Sequence, residues 1–121
     1  MTKYLLQAPR TCNVVVLSRG VEPLQKLKEQ YGKQVEVLSG DVSDFSLAQR
    51  AVDLAIKSFG QLDGLVLNHG ILGQVGNVAA ADPEAWKAGF DINFFSLVAF
   101  VSMDEFSIVP FLSNYYYLGQ S

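Results

Sequence analysis

Along residues 13–101 the apolar positions fall into two alternating patterns: short unbroken runs, and longer polar stretches with an apolar residue every third or fourth position. Residues 13–17 read NVVVL, a β-branched run with no polar interruption, which predicts a strand covered on both faces, as in a parallel sheet. After Ser18, Arg19 and Gly20 comes Pro23 near a helix start, with Leu24, Leu27 and Tyr31 on one helical face and Gly32 placed to end it. Val35, Val37 and Leu38 predict a second strand that leaves through Ser39, Gly40 and Asp41. A helix is expected from near Asp44 to Phe59, with Ser43 as N-cap, Leu47, Ala51, Leu54 and Ala55 as its apolar stripe, and Gly60 closing it. Residues 65–67 are wholly apolar and predict a third strand, left through Asn68, His69 and Gly70. Asp82 and Pro83 make a cap and first turn, and Trp86, Phe90, Phe94, Leu97 and Val98 recur at helical spacing beyond them.

Strand and helix thus alternate three times. Buried strands interleaved with helices imply right-handed crossovers and a parallel sheet, hence an α/β, doubly wound, Rossmann-like architecture. At 121 residues, 50% of them hydrophobic and 17% charged, the chain suits one globular core rather than two, and a disordered or collagen-like polymer is excluded. Nine basic against twelve acidic residues give a net charge of -3 with no basic run, so nucleic acid is not an expected partner. The most apolar stretch, 94–101, is about half the ~20 residues needed to cross a bilayer, and 1–10 lacks the apolar core of a secretory signal, so the expected location is cytoplasmic, away from membranes. Cys12 and His69 are each the only residue of their kind. No disulfide, metal centre, or Cys-His or Ser-His catalytic pair is expected.

In an open parallel sheet, ligands sit beyond the carboxyl ends of the strands, which directs attention to the residues just after each apolar run. Arg19 there can clamp the 2'-phosphate of NADP with its guanidinium fork, or it can be a solvated charge on the rim. Asp41 can accept from an adenine amino group while Val42 packs against the ring, or it can cap a turn. Asn68 and Gly70 can let a ribose approach the backbone, or they can serve a turn that needs unusual dihedrals. His69 reads as a loop residue, since no neighbouring carboxylate or nucleophile can be assigned to it. Asn93 interrupts an apolar helix and needs hydrogen-bond partners, in its own helix or elsewhere.

Four segments, VVVLSRG (14–20), LSGDVSD (38–44), FGQLDGLVLNHG (59–70) and DPEAWKAGFDINFFS (82–96), together resemble the short-chain dehydrogenase/reductase family, in particular its fungal NADP-linked members. The resemblance covers residues 13–101, less than half of a usual family subunit. It implies NADP as cofactor, with Arg19 on the phosphate, Asp41 and Val42 at the adenine, and Asn68 and Gly70 lining the dinucleotide. It implies a small carbonyl or alcohol substrate, and it makes Asn93 the helix asparagine of the catalytic tetrad, which positions a water in a proton relay. Homo-oligomers through the 82–101 helix are a further expectation from the family.

The chain departs from the family pattern at both ends. No glycine precedes Gly20, so the Gly-rich loop that would hold the pyrophosphate is missing, and there is no Tyr-x-x-x-Lys, Lys87 being the last lysine. His69 stands where the family has alanine. These departures lead to the expectation of a truncated oxidoreductase, with 1–12 and 102–121 as non-family segments around a partial dinucleotide-binding domain, inactive by itself. A noncatalytic nucleotide-binding or subunit-interaction module, or a nonfunctional splice or gene-model product, is the alternative. Residues 4–6 are too close to Cys12 for a parallel crossover, so they are expected to pair antiparallel or stay loose. The sheet is then expected to have a gap where the family's first strand lies, between the strands at 13–17 and 65–67, with exposed apolar surface around Phe106, Phe111 and Tyr115, Tyr116 and Tyr117.

Overall fold

The structure, a computed structural model, describes residues 2–9 and 12–103 and the backbone of residues 115–118. In chain order these form α1 (Thr2–Leu6), β1 (Val14–Ser18), α2 (Val21–Tyr31), β2 (Val35–Ser39), α3 (Ser46–Phe59), β3 (Gly64–Leu67), α4 (Pro83–Phe90), a π-helical turn over Asp91–Phe95, α5 (Ser96–Val101) and β4 (Tyr115–Leu118). The punctuation read from the sequence governs the helix ends. Gly32 and Gly60 close α2 and α3 with φ of 57° and 83°, backbone that a side chain would strain. Asp82 caps α4 by accepting from the Glu84 N–H, with Pro83 in the first turn. Ser43 does not cap α3 as expected. Its N–H and hydroxyl both donate to Asp41, the N-cap position falls on Phe45, and in the turn before it Asp44 Oδ1 accepts from Ser46 N at 3.1 Å.

All four strands are parallel, in the order β2-β1-β4-β3. The uninterrupted apolar run of β1 is explained by burial on both faces, since alternate residues of a strand point to opposite sides. Val14 and Val16 pack with Leu5, Leu6, Cys12, Leu24 and Val35 beneath α1 and α2. On the other face Leu17 meets Val42, Leu47, Ala48 and Phe100, and Val15 meets Val52, Ala55 and Leu62, beneath α3 and α5. At roughly 1.5–3 kcal/mol for each fully buried aliphatic side chain, these two layers hold β1 at the centre of the fold.

Two expectations about the chain ends are corrected. The gap expected between the first and third strands is filled: β4, from the tail, lies between β1 and β3, with Tyr117 paired to both Val16 and Val66, and Leu118 to both Leu17 and Leu67. A parallel sheet opened at its middle would leave two rows of backbone donors and acceptors unpaired, and β4 satisfies them. Residues 2–6 neither pair as a strand nor stay loose. They form α1, whose Leu5 and Leu6 enter the core, and Gln34 Nε2 fastens this segment by donating to Leu6 O at 2.9 Å and Cys12 O at 2.7 Å. Phe106, Phe111 and the side chains of Tyr115, Tyr116 and Tyr117 lie outside the described residues.

The last helical stretch carries two apolar faces, and the smaller-residue face packs inward. Ser96 and Phe100 are buried, with Ile92, Ala99 and Met103 packed beside them, whereas Trp86, Phe90, Phe94, Val98 and Val101 are all exposed. The aromatic stripe that marks this helix in the sequence is therefore its outward face.

Candidate functional site

The register brings the strand ends together. Leu38, Leu17, Leu118 and Leu67 lie in one row across the sheet, so the segments that follow β2, β1 and β3 leave from the same edge. The chain passes from β1 outward to β2 and then returns to β3 on the other side of β1. Open α/β sheets bind ligands at such a reversal of direction.

At this edge Arg19 is exposed, and its backbone is held on both sides: its carbonyl accepts from Ser39 Oγ at 3.3 Å, and Gly20 N donates to Ser18 Oγ at 3.4 Å. The guanidinium makes no hydrogen bond or ion pair among the described residues. A delocalised cation fixed at its root and free at its tip suits a phosphate group. Gly40 follows β2 where the chain runs close over α3: a Cβ there would lie 2.5 Å from Leu47 Cδ1. Asp41 Oδ1 accepts from both the N–H and the hydroxyl of Ser43, at 2.9 and 2.8 Å, so the carboxylate shapes this turn. Val42 is 1% exposed in the core beside Leu47 and Phe100. Its side chain does not offer the ring-packing surface expected of it.

Beyond β3, Asn68 and Gly70 are exposed and flank the half-buried His69. The loop here is stitched to the helix opposite. Asn93 does not bond back to its own helix: its Oδ1 accepts from Ile71 N at 2.8 Å and its Nδ2 donates to Ile71 O at 2.9 Å. An asparagine presents a donor and an acceptor side by side, which matches the edge of a single extended residue. Gly70 lies alongside: a Cβ there would stand 3.4 Å from Asn93 Oδ1, an ordinary contact distance.

His69 finds a partner that local sequence did not suggest. Its Nε2 lies 2.6 Å from the hydroxyl of Ser96, which is fully buried, and that hydroxyl donates to Ile92 O at 2.5 Å. Burial holds the imidazole below its ordinary pKa of 6.5, against a smaller opposing contribution from the Ile92 carbonyl. The pair is not a nucleophile and its base, because Ser96 is sealed from any substrate. Ser96 and Ile71 are the two site residues that sequence reasoning missed. Ser96 closes the 82–96 motif without a role being assigned to it, and nothing in the local sequence marked either pairing.

A cleft of about 410 Å³ opens beside Asn93, walled by Gly73, Gln74, Trp86, Phe90 and Phe94. Among the described residues no group of three or more His, Cys, Asp or Glu could hold a metal ion, and no helix is long and apolar enough to cross a membrane.

Comparison with known proteins agrees with the family and the fold. The model of the family described as short chain dehydrogenase matches residues 4–104, reaching back into the segment before β1. An uncharacterized oxidoreductase of Saccharomyces cerevisiae, YIR035C, is 42% identical over 87 residues, covering 72% of this chain and 34% of the relative. The benzil reductase IRC24 of the same organism is 29% identical over 124 residues, covering 98% of this chain and 46% of the relative. The crystal structure of YIR035C, a short-chain dehydrogenase/reductase, superposes with a TM-score of 0.78 at 39% identity, over 83% of this chain and 40% of that one. The chain thus spans less than half the length of these relatives.

Proposed function

The chain belongs to the short-chain dehydrogenase family, and from that premise we propose that it forms the adenosine side of an NADP-dependent oxidoreductase acting on small carbonyl or alcohol substrates. The observation that carries the reading is Arg19, anchored through its backbone at the sheet's reversal point with its guanidinium exposed. A guanidinium fork there binds the 2'-phosphate that distinguishes NADP from NAD. Asp41 accepts from the adenine amino group through its carboxylate, with the Val42 backbone alongside. Asn68 and Gly70 border the ribose, and Asn93 holds the 71 segment in place while positioning a water for proton transfer.

The dinucleotide supplies the hydride when bound. The residues present fit its adenosine and 2'-phosphate. They do not include the Gly-rich anion loop or a Tyr-x-x-x-Lys pair. We therefore expect the 121-residue chain to bind NADPH more weakly than micromolar and to show no carbonyl reduction by itself. A fluorescence titration tests this. NADPH should be preferred over NADH, by roughly tenfold if a charge-assisted bond of about 1.5 kcal/mol is lost with the phosphate, and Arg19→Ala should remove the preference. Equal affinity for both dinucleotides would overturn the reading.

A second reading rests on a separate observation, the outward face of Trp86, Phe90, Phe94, Val98 and Val101. Such a stripe suits helix-on-helix packing with another subunit. On this reading the chain is a noncatalytic interaction module that assembles through residues 82–101. Sedimentation of the wild type against Phe90→Lys tests it, a concentration-dependent oligomer lost in the variant being the expected result. A wild type that stays monomeric would sink it.

A further inference from the structure

We propose that His69, acting through Ser96, is a positioning residue that locks the π-helical turn and so holds Asn93 against Ile71. The argument begins with the helix backbone. In the Asp91–Phe95 turn, Ser96 N bonds to the Asp91 carbonyl, five residues back. An α-helix would have sent it to the carbonyl of Ile92, four residues back. The Ile92 carbonyl is left without that partner and takes the Ser96 hydroxyl instead. A hydroxyl has one proton. Once it is given to Ile92, the contact between His69 Nε2 and Ser96 Oγ at 2.6 Å can be a hydrogen bond only if the imidazole carries its proton on Nε2 and donates it.

The ring's other nitrogen agrees with this assignment. His69 Nδ1 is buried and has no hydrogen-bond partner among the described residues. A bare lone pair tolerates that position better than an N–H would. The chain of bonds therefore runs from His69 Nε2 to Ser96 Oγ to Ile92 O, closing the turn in which Asn93 is the next residue. Asn93 in turn grips Ile71, two residues beyond His69. Loop and helix thus clasp each other at two points, and the wider π turn is the register in which both clasps meet. An alanine at position 69 has no donor with which to complete the Ser96 end.

What this clasp positions has a catalytic meaning only on the reading proposed above, but the clasp can be tested without any dinucleotide. In the ¹⁵N-labelled chain at neutral pH, imidazole nitrogen shifts should report the Nε2-protonated tautomer. His69→Ala should raise the hydrogen-exchange rate of the Ile71 N–H by roughly three- to tenfold, the change expected for one ordinary hydrogen bond, while the Val16 N–H in β1 changes little. His69→Gln, which keeps an N–H donor, should restore the slower rate, and Ser96→Ala should reproduce the loosening with His69 in place. An Nδ1-protonated tautomer, an Ile71 rate that does not move, or equal acceleration at Val16 would each overturn the proposal. If the alanine variants do not fold, the wild-type tautomer and the His69→Gln rate decide it. Failure here leaves the NADPH preference untouched, and loss of that preference leaves the clasp untouched.

Discussion

Asn93 and Ile71 pair as two residues of neighbouring strands would, one amide edge against one backbone edge, although Asn93 stands in a helix. The side chain imitates a peptide group, and the imitation depends on having both a donor and an acceptor. Asn93→Ala removes both bonds and should cost about 1 kcal/mol in urea unfolding, the lower part of the range for two partly solvated bonds. Asn93→Asp should be worse at neutral pH, because it sets a carboxylate oxygen against the Ile71 carbonyl. Part of that loss should return on acidification, when the carboxyl regains a donor. An aspartate variant as stable as wild type at neutral pH would contradict the pairing.

Gly40 is required by contact rather than by backbone angle. A Cβ would sit 2.5 and 2.9 Å from the two methyl carbons of Leu47, itself 1% exposed and enclosed by Leu17, Val42 and Phe100. Gly40→Ala should therefore destabilise the chain by about 1–3 kcal/mol, the usual cost of overpacking. Pairing it with Leu47→Ala should give a double variant less destabilised than the sum of the two. Strict additivity would rule out the clash as the cause.

The depressed pKa of His69 ties stability to pH. The unfolded chain takes up its proton near the ordinary value of 6.5, before the folded chain does, because protonation would charge a partly buried ring. This contribution is fully present above 6.5 and is lost as pH falls from there through the lower folded value. Urea midpoints should therefore drop between about pH 7 and about pH 5 in the wild type more than in His69→Gln, which cannot titrate there. Parallel declines in the two proteins would remove His69 from the explanation.

Tyr117 is the residue of β4 whose pairing is easiest to test, because it faces Val16 on one side and Val66 on the other. Proline there removes a ladder donor from the interior of the sheet whichever neighbour receives it. Tyr117→Pro should lower the denaturation midpoint and increase binding of a hydrophobic dye as β1 and β3 lose their shared neighbour. Tyr117→Val, which keeps the backbone N–H, should be less damaging than proline on both measures. If proline is tolerated as well as valine, β4 is not needed between β1 and β3.

The features legible in the amino-acid order were those that nearest neighbours decide. A run of β-branched residues makes a strand wherever it is buried, Gly32 and Gly60 end helices because they accept positive φ, and Asp82 before Pro83 starts one by supplying an acceptor and a preset angle. Arg19, Asp41, Asn68 and Gly70 could be placed on one edge because a parallel sheet leaves no other place for the ends of its strands. Pairings between distant residues were decided only by the assembled fold. Hydrogen-bond partners, unlike propensities, carry no mark in the local sequence, so neither His69 with Ser96 nor Asn93 with Ile71 could be read there. For the same reason the tail residues Tyr115–Leu118, expected from the sequence to lie outside the family pattern, gave no sign that their backbone would complete the middle of the sheet. Nor did helical spacing say which of two apolar faces would turn inward: close packing against β1 and α3 selected the face of Ile92, Ser96 and Phe100 and left the larger aromatic one outside.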